Sequence, residues 1–155
     1  MKKKVIFGIL VGLLIMFGTV GCGDKKAITA GEFKTKMEAE EFKVIDTMDQ
    51  LPEGATIKQS YLALSPDSKY KIEFYEFTSD EEAAHFYEQN KKIFQTTKKN
   101  GYTEKEVNVG NHSKFHMNSG GKYRVVSRVA NTAIYLDVKD SYKEVTNEIL
   151  KKLGY

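Results

Sequence analysis

Apolar residues follow two different patterns along this chain. From Val5 to Val20 they form one run without a charged residue, whereas from residue 30 onward they alternate with polar residues. In that second region the apolar positions recur every three or four residues, as in helices, or every two, as in strands. The pattern predicts an apolar leader followed by a single folded domain, and residues 30–155 have a suitable length for one domain.

Three predicted helices begin with the same signal. Thr29, Ser79 and Ser141 are each followed three positions later by a glutamate. This arrangement is the capping box, in which the hydroxyl and the carboxylate satisfy backbone N–H groups of the first helical turn. Apolar stripes follow at helical spacing: Phe33 and Met37, then Ala83, Phe86, Tyr87, Ile93 and Phe94, and finally Tyr142, Val145, Ile149 and Leu153. The helices are predicted to end near Glu41, at Asn100–Gly101 and at Gly154.

The segments between the helices have strand character. Alternating apolar residues, separated by turn sequences at 65–68 and 118–121, predict strands at 56–64, 69–77, 113–117, 123–129 and 133–138. Residues 42–45 look extended, and 107–109 are a candidate for a further short strand. We therefore predict an α+β fold: a two-layer sandwich in which an antiparallel sheet of about five strands carries three helices on one face.

The other face of this sheet is expected to be open and carries a mixed set of side chains. They are Lys71, Tyr75, Arg124, Arg128, Tyr135 and Asp137. Tyrosine and arginine dominate the binding energy of many protein interfaces, so these six residues form a candidate interaction face. The alternative is an ordinary solvated sheet face with cross-strand charge pairs.

The N-terminus has the parts of a secretory signal. Lys2, Lys3 and Lys4 precede the apolar run, and a small residue, Gly21, stands before Cys22. A basic flank stays in the cytoplasm, so the rest of the chain is expected outside.

The sequence Thr19-Val20-Gly21-Cys22 resembles the lipobox of bacterial lipoproteins. The resemblance implies a signal peptide at 1–21, cut before Cys22, and diacylation (palmitate or a similar chain) of the Cys22 thiol. We accordingly expect a lipidated cysteine with a short tether at 22–29, an α+β domain at 30–155, and a location on the outer face of the cytoplasmic membrane. An uncut transmembrane anchor, or an ordinary signal with an incidental cysteine, would also place the domain outside.

Charge and cysteine content narrow the function classes. Residues 1–21 contain three of the 24 basic residues and none of the 21 acidic ones, so the remainder is formally neutral. A neutral domain lacks the basic footprint of a nucleic-acid binder. Cys22 is the only cysteine, so no disulfide within the chain is possible.

We find no catalytic or metal-binding constellation in the sequence. His112 and His116 are four residues apart, but on a strand they would be roughly 13 Å apart, so we interpret both as surface histidines; His85 is expected in solvent. No G-x-S-x-G motif occurs. We therefore expect no metal and no cofactor, and a non-enzymatic interaction or binding module with a partner among envelope proteins. The alternatives are an envelope hydrolase and a small-ligand accessory of a transporter.

Overall fold

The structure is a computed structural model that describes residues 23–155. The predictions about Cys22 and about the leader at 1–21 lie outside the described residues. Short 3₁₀ helices occur at Met48–Gln50 and Asp140–Tyr142. The helices and strands are α1 (Ala30–Ala39), β1 (Lys43–Asp46), β2 (Ile57–Leu64), β3 (Lys71–Phe77), α2 (Asp80–Thr96), β4 (Thr103–Val109), β5 (His112–Ser119), β6 (Lys122–Val129), β7 (Thr132–Lys139) and α3 (Lys143–Leu153).

The strands form one antiparallel sheet in the order β1-β2-β3-β7-β6-β5-β4. The α+β class with a single antiparallel sheet and three helices is confirmed. The prediction of about five strands is wrong, because the sheet has seven. The two additional strands are the edges. β1 has only four residues, and β4 begins with the polar sequence Thr-Glu-Lys-Glu, which has no apolar alternation but suits an edge, where charge discourages pairing with another chain.

The helices lie on both faces of the sheet, so the predicted two-layer sandwich with all three helices on one face is wrong. On one face, Phe33 of α1 and Leu150 of α3 belong to the same core cluster as Leu136 of β7. On the opposite face, Tyr87 of α2 packs with Val126 of β6. The molecule therefore has three layers, and we name the two sides of the sheet the α1/α3 face and the α2 face.

The larger core lies between the sheet and the two helices of the α1/α3 face. Phe33 stacks on Phe74 with ring centroids 4.6 Å apart. Burial of each such side chain contributes about 1.5–3 kcal/mol, so this core is a main source of stability. The apolar residues on this side of the central strands are buried in it: Ile72, Phe74, Ile134, Leu136 and Val138.

The three predicted capping boxes have different outcomes. At α1 the box is complete: the Thr29 hydroxyl accepts from the Glu32 N–H at 3.1 Å, and the Glu32 carboxylate accepts from the Thr29 N–H at 2.7 Å. At α2 only the first half forms, with Ser79 accepting from the Glu82 N–H. Ser141 lies in a 3₁₀ helix, and α3 begins two residues later without a side-chain cap, so the third box is wrong.

The segment that precedes α1 is bound to the domain. The Lys25 N–H donates to the Asn111 side chain at 2.8 Å, and the Asn111 side chain donates to the Lys25 carbonyl at 2.9 Å. The Asp24 carboxylate accepts from the Asn111 backbone N–H. Ala27 and Ile28 pack against the larger core. Most of the expected tether therefore follows the surface of the domain, next to the β4–β5 turn.

Candidate functional site

A groove on the α2 face contains most of the candidate interaction residues. It has a volume of about 490 Å³ and lies where β3, β7 and one side of α2 meet. We name it the α2 groove. Its lining residues are Lys71, Glu73, Tyr75, Phe86, Asn90, Lys122, Tyr135, Leu136 and Asp137.

Two tyrosine rings in the groove are held by α2. The Tyr75 ring lies against Phe86 with centroids 4.8 Å apart, and the Tyr135 ring lies against Phe94 at 5.2 Å. Both tyrosines are half-buried. A ligand would therefore meet aromatic surfaces that are already ordered, which lowers the entropic cost of binding.

The Tyr75 hydroxyl is committed to a carboxylate. It donates to Glu73 at 2.6 Å, and the Lys71 ammonium lies 2.8 Å from the other Glu73 oxygen. Burial raises the pKa of Tyr75 far above its usual value, and the hydrogen bond to Glu73 raises it further. Tyr75 is therefore a fixed neutral donor, and no phenolate is available here near neutral pH.

Asp137 supplies an oxygen that lacks a hydrogen-bond donor. Its Oδ2 accepts from the Arg124 Nε at 3.0 Å. Its Oδ1 is buried without a hydrogen bond, although the Lys122 ammonium is 3.5 Å away and so contributes charge. The Asp137 side chain as a whole is 32% exposed, so a partner can reach this carboxylate through its exposed part rather than through the covered Oδ1.

A second, smaller depression continues from the groove across β2. It has a volume of about 250 Å³ and shares Lys71, Glu73 and Tyr75 with the α2 groove. Its outer wall includes Thr47, next to the first 3₁₀ helix. Both depressions are thus lined by Glu73 and by the two residues bonded to it, Lys71 and Tyr75. Together they form an elongated polar surface rather than a closed cavity.

The six candidate residues do not all belong to this groove. Lys71, Tyr75, Tyr135 and Asp137 line it. The Arg124 side chain is only 12% exposed and holds Asp137 in place. Because α2 covers part of this face, it is less open than expected. The sixth residue, Arg128, lies toward the other end of its strand.

Arg128 has a different neighbourhood from the other five. Its guanidinium is 3.4 Å from the Asn111 carbonyl, at the β4–β5 turn, and it does not line the groove. It is one cause of the low pKa of His112 on the neighbouring strand. Its position suits a structural role at the end of the hairpin.

Five groove residues were not predicted from the sequence: Glu73, Phe86, Asn90, Lys122 and Leu136. Glu73 follows Lys71 at strand spacing, and Lys122 precedes Arg124 by two positions, so period-two alternation places both on the face already chosen. Phe86 and Asn90 come from α2. No signal in the sequence could have identified these two without the knowledge of which sheet face α2 covers.

The histidines are placed differently from the sequence interpretation in one case. His112 and His116 lie on β5, as the strand interpretation required, but His112 is buried and only 7% exposed, so its assignment as a surface histidine is wrong. Burial, then Lys25, Lys114 and Arg128, lower the pKa of His112 to about 4. Within residues 23–155 no group of three or more His, Cys, Asp or Glu side chains could hold a metal ion.

No family model, curated protein or solved structure matches this chain. Among the helices of the described residues, none has both the length and the apolar character to cross a membrane.

Proposed function

We propose that this protein is a lipid-anchored, non-enzymatic interaction module of the bacterial cell envelope, and that the α2 groove receives a segment of a partner protein. The lipobox-like sequence at residues 19–22 supports the anchor. The observation that carries the binding proposal is the α2 groove itself. It combines two pre-ordered tyrosine rings with the partly exposed carboxylate of Asp137.

The chemistry of the groove favours a polar segment of a protein over a small apolar ligand. Sites for small molecules are mostly apolar concavities with few polar groups. Here the walls alternate charges of both signs, Lys71 and Lys122 against Glu73 and Asp137. A peptide backbone or a side-chain amide can donate to Asp137 while its apolar atoms contact the rings of Tyr75 and Tyr135.

The place where the chain enters the domain leaves the groove accessible. A side chain on Gly110, in the β4–β5 turn, would collide with the Gly23 carbonyl, so the two backbones touch. Because consecutive Cα atoms are 3.8 Å apart, an acyl group on Cys22 would leave the domain beside this turn. β4 is the sheet edge, and β7 is three strand spacings away, or roughly 14 Å.

Site-specific crosslinking in intact cells tests the binding proposal. A photoreactive amino acid replaces Lys71, which is exposed at the rim of the groove, and in a matched chain it replaces Lys34 on the outer side of α1. We expect a discrete adduct with one envelope protein from position 71 and none from position 34. Equal adducts from both positions, or none above background, would contradict the proposal.

A second variant separates binding from folding. Tyr135→Phe removes the hydroxyl but keeps the ring against Phe94. We expect this chain to fold normally and to give roughly fivefold less adduct at position 71, because a hydrogen bond contributes about 1 kcal/mol. An undiminished adduct would show that the partner does not form a hydrogen bond with the Tyr135 hydroxyl.

A further inference from the structure

We propose that the β4–β5 edge and the adjoining side of α3 dock onto anionic phospholipid headgroups of the membrane that carries the chain. This inference rests on the proposed membrane attachment and is independent of the α2 groove. The docking surface, which we name the lysine surface, consists of Lys25, Lys105, Lys114, Lys143 and Lys151 together with Val107 and Val109.

The lysine surface lies on the α1/α3 face, beyond the edge of α3. A depression of about 230 Å³ between α3 and β4 is lined by Lys105, Val107, Lys114 and three neighbours. On α3, Lys143 and Lys151 are eight residues apart, two steps of the i,i+4 spacing that places side chains on one side of a helix. Asn147, midway between them, lines the depression.

The electrostatic environment of two β5 residues shows that these lysines act together. The pKa of His116 lies below its usual value, first because of burial and then because of Lys114, Lys143 and Lys105. The pKa of Lys114 is itself lowered by burial and by Lys25. Lysines from the N-terminal segment, β4, β5 and α3 therefore contribute to one positive region.

The lysines of this surface lie together without ion-pair partners among the described residues. In the described part of the chain, no carboxylate lies within ion-pair distance of any lysine of this surface, whereas lysines elsewhere include both paired ones, such as Lys71 with Glu73, and unpaired ones, such as Lys58. Two acidic groups border this region: Glu144 influences Tyr123, and Asp24 is bonded to the Asn111 N–H in the β4–β5 turn. The chain after residue 21 is formally neutral, so the lysine surface is a local concentration of charge.

Two exposed valines give the surface its second property. Val107 is 36% exposed and Val109 is 47% exposed, on the same side of β4 as Lys105. Lysines beside short apolar side chains suit the membrane interface, where ammonium groups meet lipid phosphates. A protein partner is less well suited, because lysine is depleted at the centres of protein interfaces.

The proposed anchor would hold this surface against the bilayer. Gly23 touches the β4–β5 turn next to Val109, and Lys25 is hydrogen-bonded to Asn111 in the same turn. An acyl group on Cys22 would therefore enter the membrane beside the turn that follows Val109, and Val107 lies roughly 7 Å further along β4. With no free tether between them, the lipid and the lysine surface would meet the bilayer together.

Fluorescence quenching on vesicles tests this orientation. The full chain, purified from the membranes of the expressing bacterium, carries a fluorescent non-natural amino acid at Val107 and is placed in vesicles that contain nitroxide-labelled lipid. A matched chain carries it at Lys43 on β1, six strand spacings or roughly 29 Å across the sheet. We expect strong quenching at 107 and weak quenching at 43 in phosphatidylcholine–phosphatidylglycerol vesicles. In phosphatidylcholine alone we expect clearly less quenching at 107, because the anchor keeps the turn near the bilayer but no anionic headgroup holds the lysines against it.

Charge reversal tests whether the lysines cause the docking. The double variant Lys105→Glu/Lys143→Glu should lower the ratio of docked to undocked domain at least about tenfold, since each lysine near an anionic surface is worth roughly fivefold. The control Lys34→Glu/Lys58→Glu changes the charge equally at exposed positions outside the lysine surface and should leave quenching at 107 unchanged.

Three results would overturn the proposal: equal quenching at 107 and 43, no dependence on anionic lipid, or an equal effect of the control variant. A discrete protein adduct from a photoreactive amino acid at 107 in cells would also overturn it, because a protein would then cover the surface. Flotation of the chain reports the anchor separately. If the chain carries no lipid, the unlipidated chain is added to the same vesicles and its quenching is measured in the same way. Quenching that does not depend on phosphatidylglycerol would reject the docking surface in that case as well.

Discussion

His112 illustrates how the fold changes the chemistry of a single residue. It is buried on β5, and its Nε2 atom has no hydrogen-bond partner. Burial and three nearby cations lower its pKa to about 4, so the folded protein holds it neutral. The unfolded chain would protonate the same ring near its ordinary pKa of 6.5.

This difference predicts a pH dependence of stability. Between pH 6.5 and 4 the unfolded state binds more protons than the folded state, so the His112 contribution is complete above pH 6.5 and is lost as the pH falls toward 4. From pH 7 to pH 5 the free energy of unfolding should fall by up to about 2 kcal/mol from this residue. Urea denaturation at several pH values measures this change. The free energy of unfolding should depend less on pH in His112→Gln than in the unaltered protein, whereas His85→Gln, at an exposed position of α2, should keep the full pH dependence. An unchanged pH dependence of the free energy of unfolding in His112→Gln would contradict its assignment to His112.

Residue spacing within strands identified part of the candidate groove. Lys71, Tyr75, Tyr135 and Asp137 follow from alternation, and the structure places all four on the groove wall. Arg124 was assigned to the correct face, but its role is to hold Asp137. Strand spacing gives the face of a side chain, whereas its partners depend on neighbouring strands that are distant in the sequence.

Among the elements, α2 departs most from expectation. Its apolar stripe was predicted to include both Ile93 and Phe94, yet Phe94 is buried against the sheet and Ile93 is 56% exposed. The stripe indicated a buried side of the helix, but the pattern does not tell which face of the sheet that side meets. On the α2 face, β6 alternates arginine with Val126, so this face resembled a solvated surface.

Two adjacent alanine substitutions measure how firmly α2 is packed. Phe94→Ala should lower the free energy of unfolding by about 3–5 kcal/mol, the usual cost of removing a buried phenylalanine. Ile93→Ala should change it by less than about 0.5 kcal/mol, as expected for an exposed site. Chemical denaturation of both variants gives the comparison, and equal effects would show that α2 does not bury Phe94 against the sheet.

A second test concerns the N-terminal segment, which Asn111 holds on the domain. Asn111→Ala removes two hydrogen bonds to Lys25. We expect faster hydrogen exchange over residues 24–29 and a loss of about 1 kcal/mol in global stability, because these bonds are exposed. Asn100→Ala, in the exposed loop between α2 and β4, serves as the control. Unchanged exchange in the Asn111 variant would mean that Asn111 does not hold the segment.

Local signals predicted helices and central strands well and edges poorly. The complete capping box at Thr29 marks the start of α1, because both of its hydrogen bonds form within one turn. The same spacing at Ser141 failed, since residues 140–142 continue from β7 as a 3₁₀ helix. β4 was predicted only in its last three residues because pairing with β5, rather than apolar alternation, defines its first half.

At the scale of the whole molecule, the two proposed surfaces are compatible with each other. The lysine surface lies on the α1/α3 face near the β4 edge, and the α2 groove lies on the opposite face between β3 and β7. A domain docked through its lysines would keep the groove free for a partner at the membrane surface. If the test of one proposed surface fails, the other surface can still be tested, because the two consist of different residues.

Attachment through residue 22 is the feature on which this arrangement depends, and mass spectrometry of the chain from fractionated cells tests it most directly. We expect the protein in the membrane fraction, with an N-terminal peptide that begins at Cys22 and carries the mass of a diacylated thiol. A chain that retains residues 1–21, or one recovered with a free thiol at Cys22, would contradict lipid anchoring at this residue.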